Sequence, residues 1–375
     1  MKAVLIVLAL FMLGCAHART DKVVGAHPEP TPIRFSTQTG PLQIVVIGLV
    51  HGHAEGLLWN AANRDDIDLV GIYEPNKALF DRLAQKYGID PSLRYDDVAL
   101  MLEETQPEAA SIMNSIAGHA EAVELCAAQG VHSLVEKPLA FSTEDARRMK
   151  AASWRFGALV LTNYETSWYA SLREAKRLVD NGELSLIRRM VFRHGHPGPR
   201  EIGCAEEFLE WLTDPQENGG GALVDFGCYG IALSIWLMDG KKPTSITATT
   251  STLKPNVYPH VDDDATIVLG FEGATAVVQA SWAWTHDNKE ADIHTETGSL
   301  HAGKWNTLSR RAPNEQPLTV EPRPLGEMYQ NEWTYLRHVI RGECEVDPLS
   351  SLDLNVTVSE IIDEARRQAR AGGGQ

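Results

Sequence analysis

The chain has 375 residues and a formal net charge of −16. A single hydrophobic core rarely grows beyond about 250–300 residues, so this length predicts two domains. The acidic balance, without a basic patch in the sequence, argues against nucleic acid as a partner because phosphates would be repelled. The five cysteines show neither metal-site spacing nor a disulfide framework; they are Cys15, Cys126, Cys204, Cys228 and Cys344.

The amino terminus has the pattern of a secretory signal. Lys2 precedes an apolar run of about a dozen residues (3–14), which is too short to span a bilayer. Two processing sites compete: Ala16-His17-Ala18 has the form of a signal-peptidase site, and the stretch ending at Cys15 resembles a bacterial lipoprotein box. We therefore expect residues 1–18 to be a signal peptide, and the protein to be exported to the periplasm, soluble or lipid-anchored at Cys15.

Residues 19–41 contain four prolines among polar residues, a composition that favours an extended linker or arm. From residue 42 to about residue 161 the chain alternates apolar strands with helices. The first strand (residues 44–47) ends at Gly48, and a helix (55–63) and a second strand (68–73) follow. This order predicts an α/β Rossmann domain with a doubly wound parallel sheet.

The turn after the first strand departs from the glycine pattern of dinucleotide-binding proteins. Val50 and His53 occupy the second and third glycine positions of G-x-G-x-x-G, while Gly48 and Gly52 remain. The turn, with His51 between them, is still expected to receive the cofactor phosphates at a helix amino terminus. Glu74, after the second strand, predicts NAD rather than NADP, because its carboxylate would accept ribose hydroxyls and repel a 2′-phosphate.

A lysine ends the fourth apolar strand of this domain. Glu136-Lys137-Pro138 closes the run that starts at His132, and ligands bind at the carboxyl ends of such strands. Lys137 is therefore the first candidate for chemistry. Asn163 and Tyr164, followed by Glu165, end the last strand of the sheet and are expected to reach the same cleft.

Past residue 161 the pattern changes to alternating or aromatic strands with few helices. This predicts that residues 162–375 form an α+β domain with a large, mainly antiparallel sheet. A glycine-rich block (219–229) leads into a helix, with Asp225 and Tyr229 four residues apart and so on one helical face. The polar loop after the first strand of this domain offers further substrate candidates, His194, His196 and Arg200.

These motifs together resemble the Gfo/Idh/MocA family of nicotinamide-dependent sugar and cyclitol oxidoreductases. The resemblance covers about residues 42–371 and rests on Glu136-Lys137-Pro138, on the glycine-rich block in its tyrosine form, and on the turn from Asn114 to His119, which lacks the usual Thr-Pro pair. It implies that Asp225 and Tyr229 face Lys137 across the nicotinamide. Asn114, His119 and Glu136 are then expected beside the cofactor.

We expect Lys137, with a pKa lowered by burial and by the oxidised cofactor, to take the hydroxyl proton or pass it to Tyr229. Asp225 would orient the substrate or the relay. No metal is expected, because neither His-x-His pair (residues 51–53 and 194–196) has a third ligand at a recognisable spacing.

The function predicted is an exported NAD-dependent oxidoreductase of a sugar or cyclitol, with a tightly bound, recycled cofactor. The arm would close over the nucleotide, as in a member of the family. Two alternatives remain: a redox-neutral NAD-dependent glycoside hydrolase, and a cofactor-free binding protein on the same fold. Strands of the second domain carry apolar residues on more than one face, and members of the family associate through the sheet of this domain. We therefore predict a homodimer or homotetramer.

Overall fold

The structure is a computed structural model that describes residues 30–372. The predicted signal peptide, Cys15 and the first part of the predicted arm lie outside these residues. Among the helices of residues 30–372, none is long and apolar enough to cross a membrane.

The first domain is the predicted doubly wound sheet. Its strands are β1 (Leu42–Ile47), β2 (Ile67–Tyr73), β3 (Arg94–Tyr95), β4 (Ala109–Ile112), β5 (His132–Glu136) and β6 (Val160–Asn163). They are all parallel and lie in the order β3-β2-β1-β4-β5-β6. The crossover helices are α1 (Ala54–Asn63), α2 (Lys77–Tyr87), α3 (Val98–Thr105), α4 (His119–Ala128) and α5 (Thr143–Phe156). The strand order reverses between β1 and β4, which is where open α/β sheets bind ligands.

The second domain contains a mixed sheet of eight strands. They are β7 (Ile187–Gly195), β8 (Ser245–Ser251), β9 (Asp264–Phe271), β10 (Ala274–Ser281), β11 (Asn288–Thr295), β12 (Ser299–Ala302), β13 (Leu308–Arg311) and β14 (Leu318–Thr319). Their order is β14-β13-β12-β11-β7-β10-β9-β8, and only β7 and β10 pair in parallel. Buried and half-buried residues alternate along β9 and β10, so one face of the sheet packs on the core.

Helices cover the buried face of this sheet and join the two domains. They are α6 (Ala170–Asp180), α7 (Glu206–Leu212), α8 (Ala222–Asp225), α9 (Gly227–Leu237), α10 (Glu332–Ile340) and α11 (Leu352–Gly372). All eleven residues of α9 are buried. The region expected to belong wholly to the second domain contributes α10 to the first, where Trp333 and Leu336 pack in the same core as Leu57.

The glycine-rich block brings two backbone segments together. A Cβ atom on Gly221 would lie 1.7 Å from the carbonyl oxygen of Asp262, so only glycine fits there. The helix predicted through Asp225 and Tyr229 is interrupted: α8 ends at Asp225 and α9 begins at Gly227. The two side chains therefore belong to different helices, and a shared helical face does not explain their approach.

The described part of the arm lies at the opposite edge of the first sheet from Gly48. The backbone N–H of Arg34 donates to the carbonyl of Gly157 at the end of α5, at 2.9 Å, and Nε2 of His132 donates to the carbonyl of Arg34 at 3.0 Å. His132 begins β5, whereas Gly48 follows the end of β1. Residues 30–41 therefore do not close over the nucleotide turn, contrary to the sequence prediction, because they are bonded to the amino-terminal edge.

Candidate functional site

The turn after β1 is built as an anion-binding edge. Gly48 has a φ of +85°, and a Cβ atom there would lie 2.8 Å from the backbone of Asn114. No other residue fits that position without moving the end of β4. Val50 is half-buried and packs against the cores of both domains. Gly52 and Gly56 are exposed and face open space, so a phosphate group can reach the first turn of α1.

Glu74 follows β2 as predicted, but its side chain is only 1% exposed. Its Oε2 accepts a hydrogen bond from the backbone N–H of Leu49, and its Oε1 accepts one from that of Asn76, both at 2.8 Å. Burial raises the pKa of Glu74 above its ordinary value, against the effect of these two donors. The carboxylate thus fixes the turn and the start of α2, and the structure leaves it covered rather than open to a ribose.

Lys137 and Asp225 meet where the two domains join. Nζ of Lys137 donates to Oδ1 of Asp225 at 2.5 Å and to its backbone carbonyl at 3.2 Å. Trp282, which is fully buried, donates from Nε1 to Oδ2 of the same carboxylate at 2.9 Å. Two donors from separate elements therefore fix Asp225, and Trp282 positions this carboxylate.

The ion pair changes the expected charge state of Lys137. Burial lowers the pKa of this lysine, but the charge of Asp225, the hydrogen bond to it and the neighbouring Cys228 and Glu136 together outweigh burial and leave the pKa above its ordinary value. Burial likewise raises the pKa of Asp225, and the Lys137 ammonium reverses this to a net lowering. The prediction of a lowered Lys137 pKa is wrong for the site without cofactor, because the resemblance placed Asp225 opposite Lys137 but did not show that the two side chains form a direct ion pair.

Tyr229 lies between two lysines. Its ring centroid is 5.2 Å from Nζ of Lys137 and 5.0 Å from Nζ of Lys289. The side chain is 2% exposed, and burial, followed by the charge of Glu165, raises its pKa well above the ordinary value. The hydroxyl is therefore protonated at neutral pH and can serve as a hydrogen-bond donor to a substrate. The ring of His194 packs edge-on against it at 5.7 Å.

Lys289 is a site residue that the sequence did not indicate. It lies on β11 directly opposite His194 on β7, and its ammonium forms an ion pair with Glu165. Glu165 also accepts a hydrogen bond from the hydroxyl of Tyr169 at 2.5 Å. A lone lysine near the start of a strand carries no signal, because only the strand register places it beside Tyr229.

The two histidines of β7 and its following turn differ in their surroundings. Burial, followed by the charge of Lys289, lowers the pKa of His194 to about 3, and its Nδ1 has no partner among residues 30–372. His196 is half-buried, packs edge-on against Phe226 at 4.9 Å, and has a pKa lowered by burial. Arg200, predicted to contact the substrate, is exposed and forms an ion pair with Glu206. It therefore does not join Lys137 and Tyr229 in the site.

His51 and His53 do have a third potential ligand, which is Glu136. One ring nitrogen of each histidine and one carboxylate oxygen lie within 4.8 Å of one another. Nδ1 of His53 is 3.1 Å from Oε2 of Glu136, and Asn163 donates to Oε1 of the same carboxylate at 2.9 Å. The argument against metal from sequence spacing therefore fails, since β5 delivers the carboxylate from 83 positions beyond His53.

Tyr164 and His119, also predicted as site residues, hold the surrounding backbone and side chains in place. The hydroxyl of Tyr164 donates to Asn355 on α11 at 2.9 Å, while its ring lies 5.5 Å from that of Tyr229. Tyr164 is thus a wall of the cleft, not a free hydroxyl. His119 is buried and its Nδ1 donates to the carbonyl of Leu139 at 3.2 Å, so it fixes the segment after Lys137. Burial lowers its pKa to about 4.

The arrangement defines a class: a two-domain dinucleotide-fold enzyme with a lysine, a carboxylate and a tyrosine at the domain junction. Two family models match the chain, "Oxidoreductase family, NAD-binding Rossmann fold" over residues 42–164 and "GFO/IDH/MocA C-terminal domain" over residues 172–301. The chain belongs to the Gfo/Idh/MocA oxidoreductase family.

The relatives described below are distant from this chain in sequence. A trans-1,2-dihydrobenzene-1,2-diol dehydrogenase of Xenopus laevis is 24% identical over 267 residues, covering 67% of this chain and 74% of that protein. An inositol dehydrogenase homolog from Azotobacter vinelandii, solved with NAD⁺, has a TM-score of 0.76 at 18% identity, covering 91% and 98% of the two chains. An aldose-aldose oxidoreductase from Caulobacter crescentus, solved with glycerol, has a TM-score of 0.74 at 22% identity, covering 88% and 98%. These structures share the fold with this chain.

Proposed function

We propose that this protein is an NAD-dependent oxidoreductase that removes hydride from a carbinol carbon of a sugar or cyclitol. The observation that carries the proposal is the convergence of Lys137, Asp225 and Tyr229, from two domains, at the carboxyl edge of a dinucleotide-binding sheet. Removal of hydride from a carbinol requires a group that takes the hydroxyl proton, and the amine of Lys137, within reach of Asp225 and Tyr229, is such a group.

Each residue has a distinct role in this proposal. Lys137 holds the substrate hydroxyl and takes its proton, after giving up its own proton to solvent. Asp225, fixed by Trp282, keeps the lysine in place and orients the hydroxyl. Tyr229 donates a hydrogen bond to the substrate oxygen. When NAD is bound, the oxidised nicotinamide supplies the hydride acceptor.

The residues present fit a dinucleotide at the phosphate turn and at the nicotinamide end. Gly48 makes the close turn, and Gly52 leaves open space before α1. The preference for NAD over NADP rests on Glu74, whose negative charge disfavours a 2′-phosphate even while backbone N–H groups cover it. Titration of both nucleotides against stripped protein tests this preference, and tighter binding of NADP would overturn it.

The substrate class is supported by the printed names of proteins that share the family or the fold. One is an aldose-aldose oxidoreductase and another is an inositol dehydrogenase homolog. A diol dehydrogenase of the same family widens the range to other vicinal diols. All three names describe substrates with carbinol carbons, which is the chemistry that Lys137 and Tyr229 would serve.

We also propose that the protein is exported and that turnover does not consume external NAD. The basis is the signal-like segment of residues 1–18: outside the cytoplasm a loosely held cofactor would be lost by dilution. A second substrate would then take the hydride back before the cofactor leaves.

The test supplies cofactor-loaded protein with sugars, cyclitols and glycosides without added nucleotide. Product and the absorbance of reduced nicotinamide are followed together. Many turnovers with no accumulation of NADH are expected. Release of a free sugar from a glycoside would select the redox-neutral hydrolase instead, and no reaction with any carbinol, with no nucleotide bound, would favour the cofactor-free binding protein.

A further inference from the structure

We propose that His51, His53 and Glu136 form a binding site for a divalent transition-metal ion of the zinc class. The three side chains come from the turn after β1 and from the end of β5, which are neighbours of β4 on either side. Two imidazoles and one carboxylate are a ligand set that binds zinc with a fourth position left for water or a substrate oxygen.

The spacing of the donor atoms matches that of metal ligands. In a tetrahedral zinc site with bonds of 2.0–2.1 Å, ligand atoms lie about 3.3 Å apart. Nδ1 of His53 and Oε2 of Glu136 are 3.1 Å apart, and the donor atom of His51 lies within 4.8 Å of both. A movement of up to about 1.5 Å by the His51 ring closes the set.

A second observation points to a ligand at this place. Glu136 is 2% exposed, and its Oε2 makes no hydrogen bond of good geometry among residues 30–372; its contact there is the 3.1 Å ion pair with Nδ1 of His53. A buried carboxylate oxygen held by one such contact keeps lone pairs that a bound cation would satisfy. The other oxygen, Oε1, accepts from Asn163, whose own oxygen accepts from Nε1 of Trp168 at 3.2 Å. Such outer hydrogen bonds orient metal-binding carboxylates.

The surroundings provide access and charge balance. A cavity of about 390 Å³, lined by His53, Asn163 and Trp168 and also by Gly52 and Gly56 of the phosphate turn, opens beside the cluster and gives an ion an entry path while that turn holds no nucleotide. Lys137 follows Glu136 directly in the chain, and its charge is matched by Asp225. Nδ1 of His51 accepts a hydrogen bond from the backbone N–H of His53 at 3.1 Å, and the ion replaces this single bond.

The test is metal binding, which does not depend on turnover or on a known substrate. Chelator-stripped, untagged protein is titrated with Co²⁺ alone, and the visible absorption of the bound ion is recorded. Equilibrium dialysis with Zn²⁺ gives the stoichiometry. One ion per chain is expected. His53→Gln, at a residue whose side chain is 46% exposed and so tolerant of change, should weaken binding at least tenfold.

The matched control is His286→Gln, at an exposed histidine outside the cluster, which should bind as the unaltered protein does. Glu136→Gln, checked for folding by circular dichroism, should also weaken binding. Equal binding by the unaltered protein and His53→Gln would overturn the proposal. So would the absence of binding at millimolar Co²⁺ and Zn²⁺, and the contact of His53 with Glu136 would then be an ion pair only.

Discussion

Lys137 and Asp225 form a buried ion pair that joins the two domains. Substitution of these two residues tests the proposed chemistry directly. Replacing Lys137 by alanine should reduce kcat by about 10²–10⁴-fold, because a positioned acid or base contributes that much. NAD binding, measured by titration, should change little. Tyr229→Phe should reduce kcat by a smaller factor than Lys137→Ala if the tyrosine only donates a hydrogen bond. Retention of more than about a tenth of the activity by Lys137→Ala would remove this lysine from the mechanism.

A structural effect must be separated from the chemical one. Lys137→Ala leaves Asp225 buried without its cation, which destabilises proteins by about 3–5 kcal/mol. Lys137→Met combined with Asp225→Asn removes both charges and serves as the control. It should unfold at a higher urea concentration than the single variant, and it should remain inactive.

A second prediction concerns Lys289. Lys289→Met should lower kcat, because the ammonium beside the Tyr229 ring is lost and Glu165 is left as an unpaired carboxylate. Lys289→Met with Glu165→Gln removes both charges. Recovery of kcat in the double variant would show that Lys289 serves only to neutralise Glu165. Continued loss, with unchanged thermal stability, is the result expected if Lys289 acts on Tyr229.

Strand β5 is held by the arm segment at its start and contributes site residues at its end. His132 begins the strand, accepts the backbone N–H of Leu159 at 2.9 Å on Nδ1, and donates from Nε2 to Arg34. The ring is therefore neutral, and burial lowers its pKa. At the other end of the same strand, Glu136 and Lys137 enter the site.

This arrangement predicts a pH dependence of stability. The unfolded chain binds a proton on His132 below its ordinary pKa of 6.5, whereas the folded chain does not, so stability falls as the pH drops through that value. The loss approaches about 1.4 kcal/mol per pH unit from this residue. His132→Gln should show a smaller drop in urea midpoint between about pH 7.5 and 5.5. Equal slopes in the two proteins would contradict the assignment of a neutral His132.

Local sequence patterns predicted the elements well and their relations less well. The alternation along residues 42–161 indicates the parallel sheet, and glycines mark the turn at Gly48 correctly. The break between α8 and α9 has no such signal: Asp225 and Tyr229 are spaced as on one helix, yet the helix is interrupted at Phe226. The position of residues 30–36 is decided by hydrogen bonds to distant elements, which composition does not reveal.

For the whole molecule, the open face of the second sheet predicts assembly. Val191, Val277 and Val268 lie side by side on β7, β10 and β9, and each is half-buried on the face turned away from the core. An apolar row of this kind usually marks an interface. Val277→Lys should shift a dimer or tetramer toward monomer in light scattering, whereas Gln129→Lys, on the other domain, should not. A monomeric, active unaltered protein would refute the prediction.

The site itself was only partly predictable, for a reason that applies to the molecule as a whole. Lys137, Asp225 and Tyr229 carry family motifs and were identified from them. The position of Lys289 depends on strand register in the second sheet, and the approach of Glu136 to His51 and His53 depends on strand order in the first. Those are long-range properties, set by the packing of both cores, and no local spacing encodes them.

The most direct measurement follows the hydrogen that the proposal assigns to hydride transfer. A sugar or cyclitol deuterated at its reacting carbinol carbon is mixed with NAD-loaded protein for a single turnover, and the nucleotide, product and water are analysed by mass spectrometry. The account predicts that deuterium appears on the nicotinamide or on a second carbohydrate, never in water, and that Lys137→Ala abolishes the transfer while still binding NAD. Deuterium released to water, or a protein that binds no nicotinamide nucleotide, would contradict it.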